Sequence, residues 1–264
     1  MGCGGGAPPA AKTEEAPEPT RVARPQPTTG GPSVAQELGS IDERAVQQTF
    51  DRLQTKLEVC HKQGRDRVEY LSGDAKVFLR VASDGHVKYS YFEDSTVGDR
   101  DTEKCILDLF AATDWPKPQG GEAEVRNGFG WSAGSERAPA TWPAEKVTNA
   151  LGPDGRHAIE QCKSGTHGDF RVTAYVEPGD VEEPAPAIEK PAAKAGKPGK
   201  GGKPDKKPAA APVVEKEHGG KFKAIGIAVP NKEAAPKADC IVEALRGVSL
   251  PSPGSYAAKV TFTL

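Results

Sequence analysis

The sequence predicts an α+β protein made of two tandem α-β-β-α-β units, the second interrupted by an insert. Three observations carry this. First, Gly85 and Cys105 are separated by the same interval as Gly220 and Cys240. Second, Trp115-Pro116-Lys117-Pro118 follows Cys105 at the offset at which Leu250-Pro251-Ser252-Pro253 follows Cys240, with Val125 and Val260 again matching. Third, Asp74–Val81 and Asp169–Val176 alternate in the same phase. Register kept over so long a stretch without a gap marks an internal duplication.

The elements follow in order. Ser40-Ile41-Asp42-Glu43 fits a capping box, with Ser40 as N-cap and Glu43 at the third helical position. Val46, Phe50, Leu53, Leu57 and Cys60 then recur at steps of three and four, one apolar stripe of a helix. Ala75, Val77, Leu79 and Val81 share one face of a strand, as do Phe170, Val172, Ala174 and Val176 in the second copy. Ser83-Asp84-Gly85 closes a tight hairpin into a strand beginning at His86, where the second copy has Pro178-Gly179-Asp180 and then the insert. On that strand Tyr89, Tyr91 and Phe92 are expected half in the core and half on the surface. Cys105, Ile106, Leu109 and Phe110, or Cys240, Ile241 and Leu245, line a second helix. In the second copy's first helix, with Val147, Leu151 and Ile159, Gly152-Pro153-Asp154-Gly155 must interrupt the helix.

Composition shows which parts build no core. Hydrophobic residues make up 36% and aromatic residues 6% of 264, while Gly 30 and Pro 24 are high. Two Pro/Ala-rich segments account for the shortage. Residues 1–39 read as a flexible stalk, and 178–219 as a disordered insert carrying Lys190, Lys194, Lys197, Lys200, Lys203, Lys206 and Lys207. The folded parts are 40–132 and 141–264. The lysine run reads either as a solvated spacer or as a contact for an anionic polymer such as cell wall. A net charge of −2 gives no bias towards nucleic acid, and none is expected as a partner. No apolar run approaches the length of a membrane span.

Five cysteines resolve into one outlier, Cys3, and two per unit. Both cysteines of each unit fall on an apolar stripe facing the sheet. Pairing Cys60 with Cys105 closes a loop of about 45 residues, worth about 4 kcal/mol by chain entropy. Cys162 and Cys240 pair likewise, which implies an oxidising compartment. The alternatives are four buried thiols acting as small hydrophobes, or a four-thiolate metal site that the spacing does not favour.

Cys3, after Gly2 and before a glycine run and a Pro/Ala stalk, looks like the mature start of a bacterial lipoprotein. The apolar signal that should precede it is missing, as a start assigned downstream of the true one would explain. The alternatives are an incidental thiol and a myristoylation pattern, which fails because position six is Gly6.

No catalytic constellation is visible. His61 adjoins Cys60 on a helix, so their side chains diverge. His86, His157, His167 and His218 form no metal or nucleophile–base spacing, and neither a nucleophile elbow nor a phosphate loop occurs. Asp99, Asp101 and Glu103 suit the start of the second helix better than a metal site. No cofactor is expected.

The run Gly85, Ser95-Thr96, Asp101, Cys105-Ile106, Trp115-Pro116, Pro118, Gly120-Gly121 and Val125 resembles the AgmX/PglI C-terminal domain of myxobacterial gliding-motility proteins. That domain is similar to the TonB C-terminal domain, and Cys60 fits its first cysteine. The resemblance covers about 41–131. The second copy departs from it, with Leu250 for the tryptophan and Pro230-Asn231 for Ser95-Thr96. The resemblance implies a periplasmic, non-enzymatic envelope module. The expected function is a lipid-anchored protein on the periplasmic side of a bacterial membrane, the outer membrane, presenting two such modules to an envelope protein or cell-wall polymer. Its membrane contact is through the lipid alone. The alternatives are an accessory subunit of a gliding-motility or envelope-transport complex, binding its partner by β-augmentation, and an uncharacterised enzyme.

Overall fold

A computed structural model describes residues 1–2, 33–35, 39–179 and 219–264. The first half runs β1 (Ser33–Ala35), α1 (Glu43–Arg67), β2 (Gly73–Val81), β3 (Val87–Ser95), α2 (Arg100–Ala111) and β4 (Ala123–Trp131). The second half runs β5 (Ala140–Thr141), α3 (Ala144–Ala150), α4 (Gly152–Lys163), β6 (Arg171–Pro178), β7 (Gly220–Ala228), α5 (Ala238–Arg246) and β8 (Ala258–Thr263). The fold is mixed α+β with two four-stranded sheets, ordered β1-β4-β2-β3 and β5-β8-β6-β7. All pairings are antiparallel except β5 with β8.

The helix α1 buries the expected stripe: Val46, Phe50, Leu53, Leu57 and Cys60. Its N-cap is Asp42 rather than Ser40. The Asp42 carboxylate accepts the Ala45 amide at 2.9 Å. Ser40 instead exchanges two backbone bonds with Gln119, at 2.8 and 2.7 Å, which hold it extended and outside the helix. At α2 the cap is Asp99, which accepts from the Thr102 amide and hydroxyl. In the second half the helix breaks at Gly152, whose φ of 57° suits glycine. Pro153 then stands in the first turn of α4, where its missing N–H is harmless.

Strand alternation places Ala75, Val77, Leu79 and Val81 in one core, and Val172, Ala174 and Val176 with Phe170 in the other. Phe50, Phe110 and Trp115 meet edge to face at 4.8–6.1 Å beneath the first helix pair. The hairpin β6–β7 stays paired to its open end, Pro178 opposite Gly220, with the Gly179 amide bonded to the Gly219 carbonyl at 2.6 Å. The described residues flanking the insert therefore meet at one point.

Two expectations change. Phe92 lies in the first core, but Tyr91 on the opposite face is also only 9% exposed. It stacks on Phe78 at 4.9 Å, and Tyr89 stacks on Phe78 at 6.0 Å beneath the Lys232 ammonium from the second half. Both faces of β3 are thus covered. The disulfides Cys60–Cys105 and Cys162–Cys240 close 45 and 78 residues. Cys60 and Cys162 are buried, whereas Cys105 is half-exposed and Cys240 exposed. Each bridge therefore staples helix to helix, α1 to α2 and α4 to α5, running from a core cysteine, Cys60 or Cys162, to one nearer the surface, Cys105 or Cys240. Replacing Cys60 and Cys105 together by serine is expected to cost about 4 kcal/mol in urea unfolding at neutral pH.

Candidate functional site at the junction of the two sheets

A dense set of polar contacts lies where the two halves meet. Two glycines make the approach possible. Gly98, with φ 80°, leads into α2, and a side-chain carbon there would stand 2.9 Å from the Tyr175 ring. A side-chain carbon on Gly226, in the edge strand β7, would stand 2.5 Å from Glu103 and 2.8 Å from the Asp99 amide. The first turn of α2 is thus pressed onto the backbone of the opposite sheet.

Polar groups close the seam. The Tyr175 hydroxyl donates to the Ser72 carbonyl at 2.9 Å and accepts the Ser72 amide at 3.0 Å. Thr173 donates to the Ser95 carbonyl at 3.2 Å, and the Val229 amide donates to the Phe92 carbonyl at 2.9 Å. The Tyr70 hydroxyl donates to Glu177 at 3.0 Å. Burial foremost, and then Glu177, hold that phenol far above its ordinary range. At the rim Arg171 grips both oxygens of Asp94 at 2.9 Å, and Arg100 reaches Asp239 at 2.8 Å.

A carboxyl and an ammonium inside the seam are shifted towards neutrality. Glu103 is fully buried: Oε1 accepts the Ser95 hydroxyl at 2.7 Å and Oε2 the Ile227 amide at 3.0 Å. Burial outweighs these donors and pushes its carboxyl up to about 7. Lys259, on the outer face of β8, donates to the Ser72 carbonyl at 2.7 Å and lies 5.2 Å from the centre of the Tyr175 ring. Burial pushes its ammonium down to about 8. The site can bind and release protons near neutrality. The four cysteines described are oxidised and offer no nucleophile. No group of three or more His, Cys, Asp or Glu is placed to hold a metal among the described residues.

The sequence-derived site residues fall elsewhere. Cys3 and Lys190, Lys194, Lys197, Lys200, Lys203, Lys206 and Lys207 lie outside the described residues, as do nearly all of the stalk and the insert. His61 is buried, stacked on Trp131 at 4.7 Å with one ring nitrogen on the Leu71 carbonyl. An open groove of about 630 Å³ runs between α1 and the Trp115-Pro116 turn, beside Gln48, Thr49 and Arg52. The Trp115 ring is turned inward, its indole N–H on the Phe110 carbonyl at 3.0 Å.

Glu103 was legible in the sequence as a helix-start carboxylate, but its burial was not read. A signal existed: Glu103 stands three before Ile106 and seven before Phe110, on the stripe that α2 buries. Gly226 offered another, since glycine inside a strand often marks a close backbone approach.

The sheet edges matter for docking. Beside β4, the strand β1 covers Glu124–Arg126, and β5 covers the start of β8. The other two edges, β3 and β7, face each other across the junction.

Two substitutions test the site. Gly226→Ala is expected to cost about 2–3 kcal/mol, because the new methyl meets backbone and a buried carboxyl, and to split one unfolding transition into two. Lys259→Met is expected to stabilise the chain by about 1 kcal/mol at neutral pH. The sign follows from a depressed pKa: the lysine's penalty is present below about 8 and disappears as pH rises towards its ordinary 10.5. Thermal midpoints of variant and parent should therefore converge in alkaline buffer.

No protein-family model matches the chain, and neither a curated protein nor a solved structure does.

Proposed function

We propose that the chain is a non-enzymatic, lipid-anchored protein of the bacterial cell envelope that presents two TonB-like interaction units, 40–132 and 141–264, to an envelope protein or cell-wall polymer. The observation that carries this reading is the pair of disulfides, one in each half and each joining the helix ahead of the central hairpin to the helix after it. Such bridges persist in oxidising compartments and are rare where thiols are kept reduced. The common strand order of the two sheets and the AgmX/PglI resemblance of 41–131 add to it. Cys3 supplies the lipid anchor on the periplasmic side of the outer membrane. No helix among the described residues is long and apolar enough to cross a membrane. The described residues on either side of the insert meet at the Gly179–Gly219 bond, and the insert's lysines are the proposed contact for an anionic polymer.

A second reading is an accessory subunit of a gliding-motility or transport complex that binds its partner by β-augmentation. One observation favours it. Beside β4 the pairing with β1 stops at Arg126, so Asn127–Trp131 have no strand paired on that side among the described residues. Under this reading an added strand would pair along that stretch.

Intact mass of the protein extracted from its host, before and after reduction and alkylation, tests the first reading. The expected result is a diacyl or triacyl mass on Cys3, with Cys60, Cys105, Cys162 and Cys240 alkylated only after reduction. An unmodified Cys3 with every thiol free would remove both anchor and envelope. Capture of a partner that persists after deletion of 178–219 would favour docking by the folded units over gripping by lysines.

A further inference from the structure

The one fully buried carboxyl of the seam touches both halves at once. Glu103 belongs to α2 of the first half, yet its Oε2 holds the Ile227 amide of the second half's edge strand. Its Oε1 holds Ser95, whose own carbonyl accepts Thr173 of the second half. Gly226 keeps the carboxyl and β7 in contact, since any side chain there would occupy its place.

We propose that Glu103 is a proton-operated latch between the two halves: as a neutral acid it seats against β7 and holds the sheets as one body, and as an anion it favours their separation. The proposal rests on the geometry of the junction and not on the location or partner proposed above.

The neighbouring charges explain why ionisation is unfavourable. On α2 itself stand Asp99, Arg100 and Lys104. Arg67 of α1 is engaged by Asp99, and Asp239 of α5 by Arg100 at 2.8 Å and Lys104 at 3.4 Å. Arg100 approaches Glu103 only to 3.7 Å, so its charge is shared with Asp239 and mostly directed away. The strands add Ser95, Thr173 and the Tyr175 phenol, with Lys259 above that ring. β7 contributes backbone alone at the contact. An anion at Glu103 therefore receives two neutral donors and part of one cation, too little to replace water. Ser95, a hydroxyl, can also accept from the protonated acid. Burial opposes ionisation at Asp239 too, but Arg100 and Lys104 hold that carboxyl below its usual range, so it stays charged while Glu103 titrates.

The sign is fixed by the direction of the shift. A carboxyl raised from 4.5 to about 7 binds its proton more tightly in the closed junction than in the open one. The latch is at full strength below the ordinary carboxyl pKa and weakens as pH rises through about 7. Over that interval the equilibrium for opening should shift by a factor of the order of 100.

Hydrogen exchange of the full chain, with disulfides intact, tests this. The protection factor of the Ile227 amide, corrected for the intrinsic pH dependence of exchange, should fall of the order of 100-fold between pH of about 5 and about 8. Amides inside each sheet, such as Leu79 and Ala174, should change far less. Glu103→Gln, which imitates the neutral acid, should hold Ile227 protected across the range. A pH-independent protection factor in the parent, or a Glu103→Gln variant that follows the parent's profile, overturns the latch. If that variant does not fold, the carbon-13 titration of the Glu103 carboxyl in the unaltered chain decides: a midpoint near 7 is expected, and one near the ordinary carboxylate value overturns it.

Discussion

Each sheet has one face under helices, and in this chain part of the opposite face is covered by the other half. The outer face of β6, β7 and β8 offers Thr173, Tyr175, Gly226 and Lys259, and the corner between β3 and α2 closes onto it. That closure depends on two positions without side chains, Gly98 and Gly226, and on the acidic turn seated between them. Once backbone approaches backbone so closely, every polar group in the seam needs a partner, and each has one. No buried side-chain nitrogen or oxygen among the described residues lacks a hydrogen bond. Sheets this small bury limited area alone, so a shared seam adds apolar contact that neither has by itself.

The parts of the fold that were legible in the sequence are those governed by local periodicity. The stripe of α1, the alternation of β2 and β6 and the hairpin turn at Gly85 follow from side-chain spacing alone. The helix pairs joined by Cys60–Cys105 and Cys162–Cys240 follow from the repeat. What escaped is what the second half does to the first. Tyr91 alternates outward and should face water, but it packs beside Phe78 against residues contributed from beyond the insert. Lys259 and Thr261 alternate outward from Val260 and Phe262 in the same way, and the lysine becomes a seam residue. Periodicity tells which residues share a face; it does not tell what that face will meet. The N-cap shows the same limit in miniature, since Ser40 lost its role to Asp42 only because Gln119 claimed its backbone.

The disulfides and the seam divide the work of holding the chain together. The bridges act within each half, between helices, and act largely by restricting the unfolded chain. The seam acts between halves and is made of hydrogen bonds, ion pairs and one titratable acid, all of which respond to conditions. Reduction and pH therefore reach different levels of the structure: the first loosens each helical layer, the second the relation of one sheet to the other.

The seam is also directional. It joins the α2 corner of the first half to the β7 edge of the second, a pairing of unlike surfaces. In the register of the two sheets, Tyr91 opposite Phe78 stands where Gly226 stands opposite Thr173. Ahead of the helix cysteine, Ala238 stands where Glu103 stands. The second half thus lacks the acid that would grip a further strand, and the first half carries a tyrosine where a further corner would need glycine. Unlike surfaces on identical copies generate closed rings or open filaments, according to whether the rotation between copies closes. Here the residues that fit the two halves to each other, Glu103 and Gly226, each occur in one half alone, so the junction is built from surfaces that neither half presents twice.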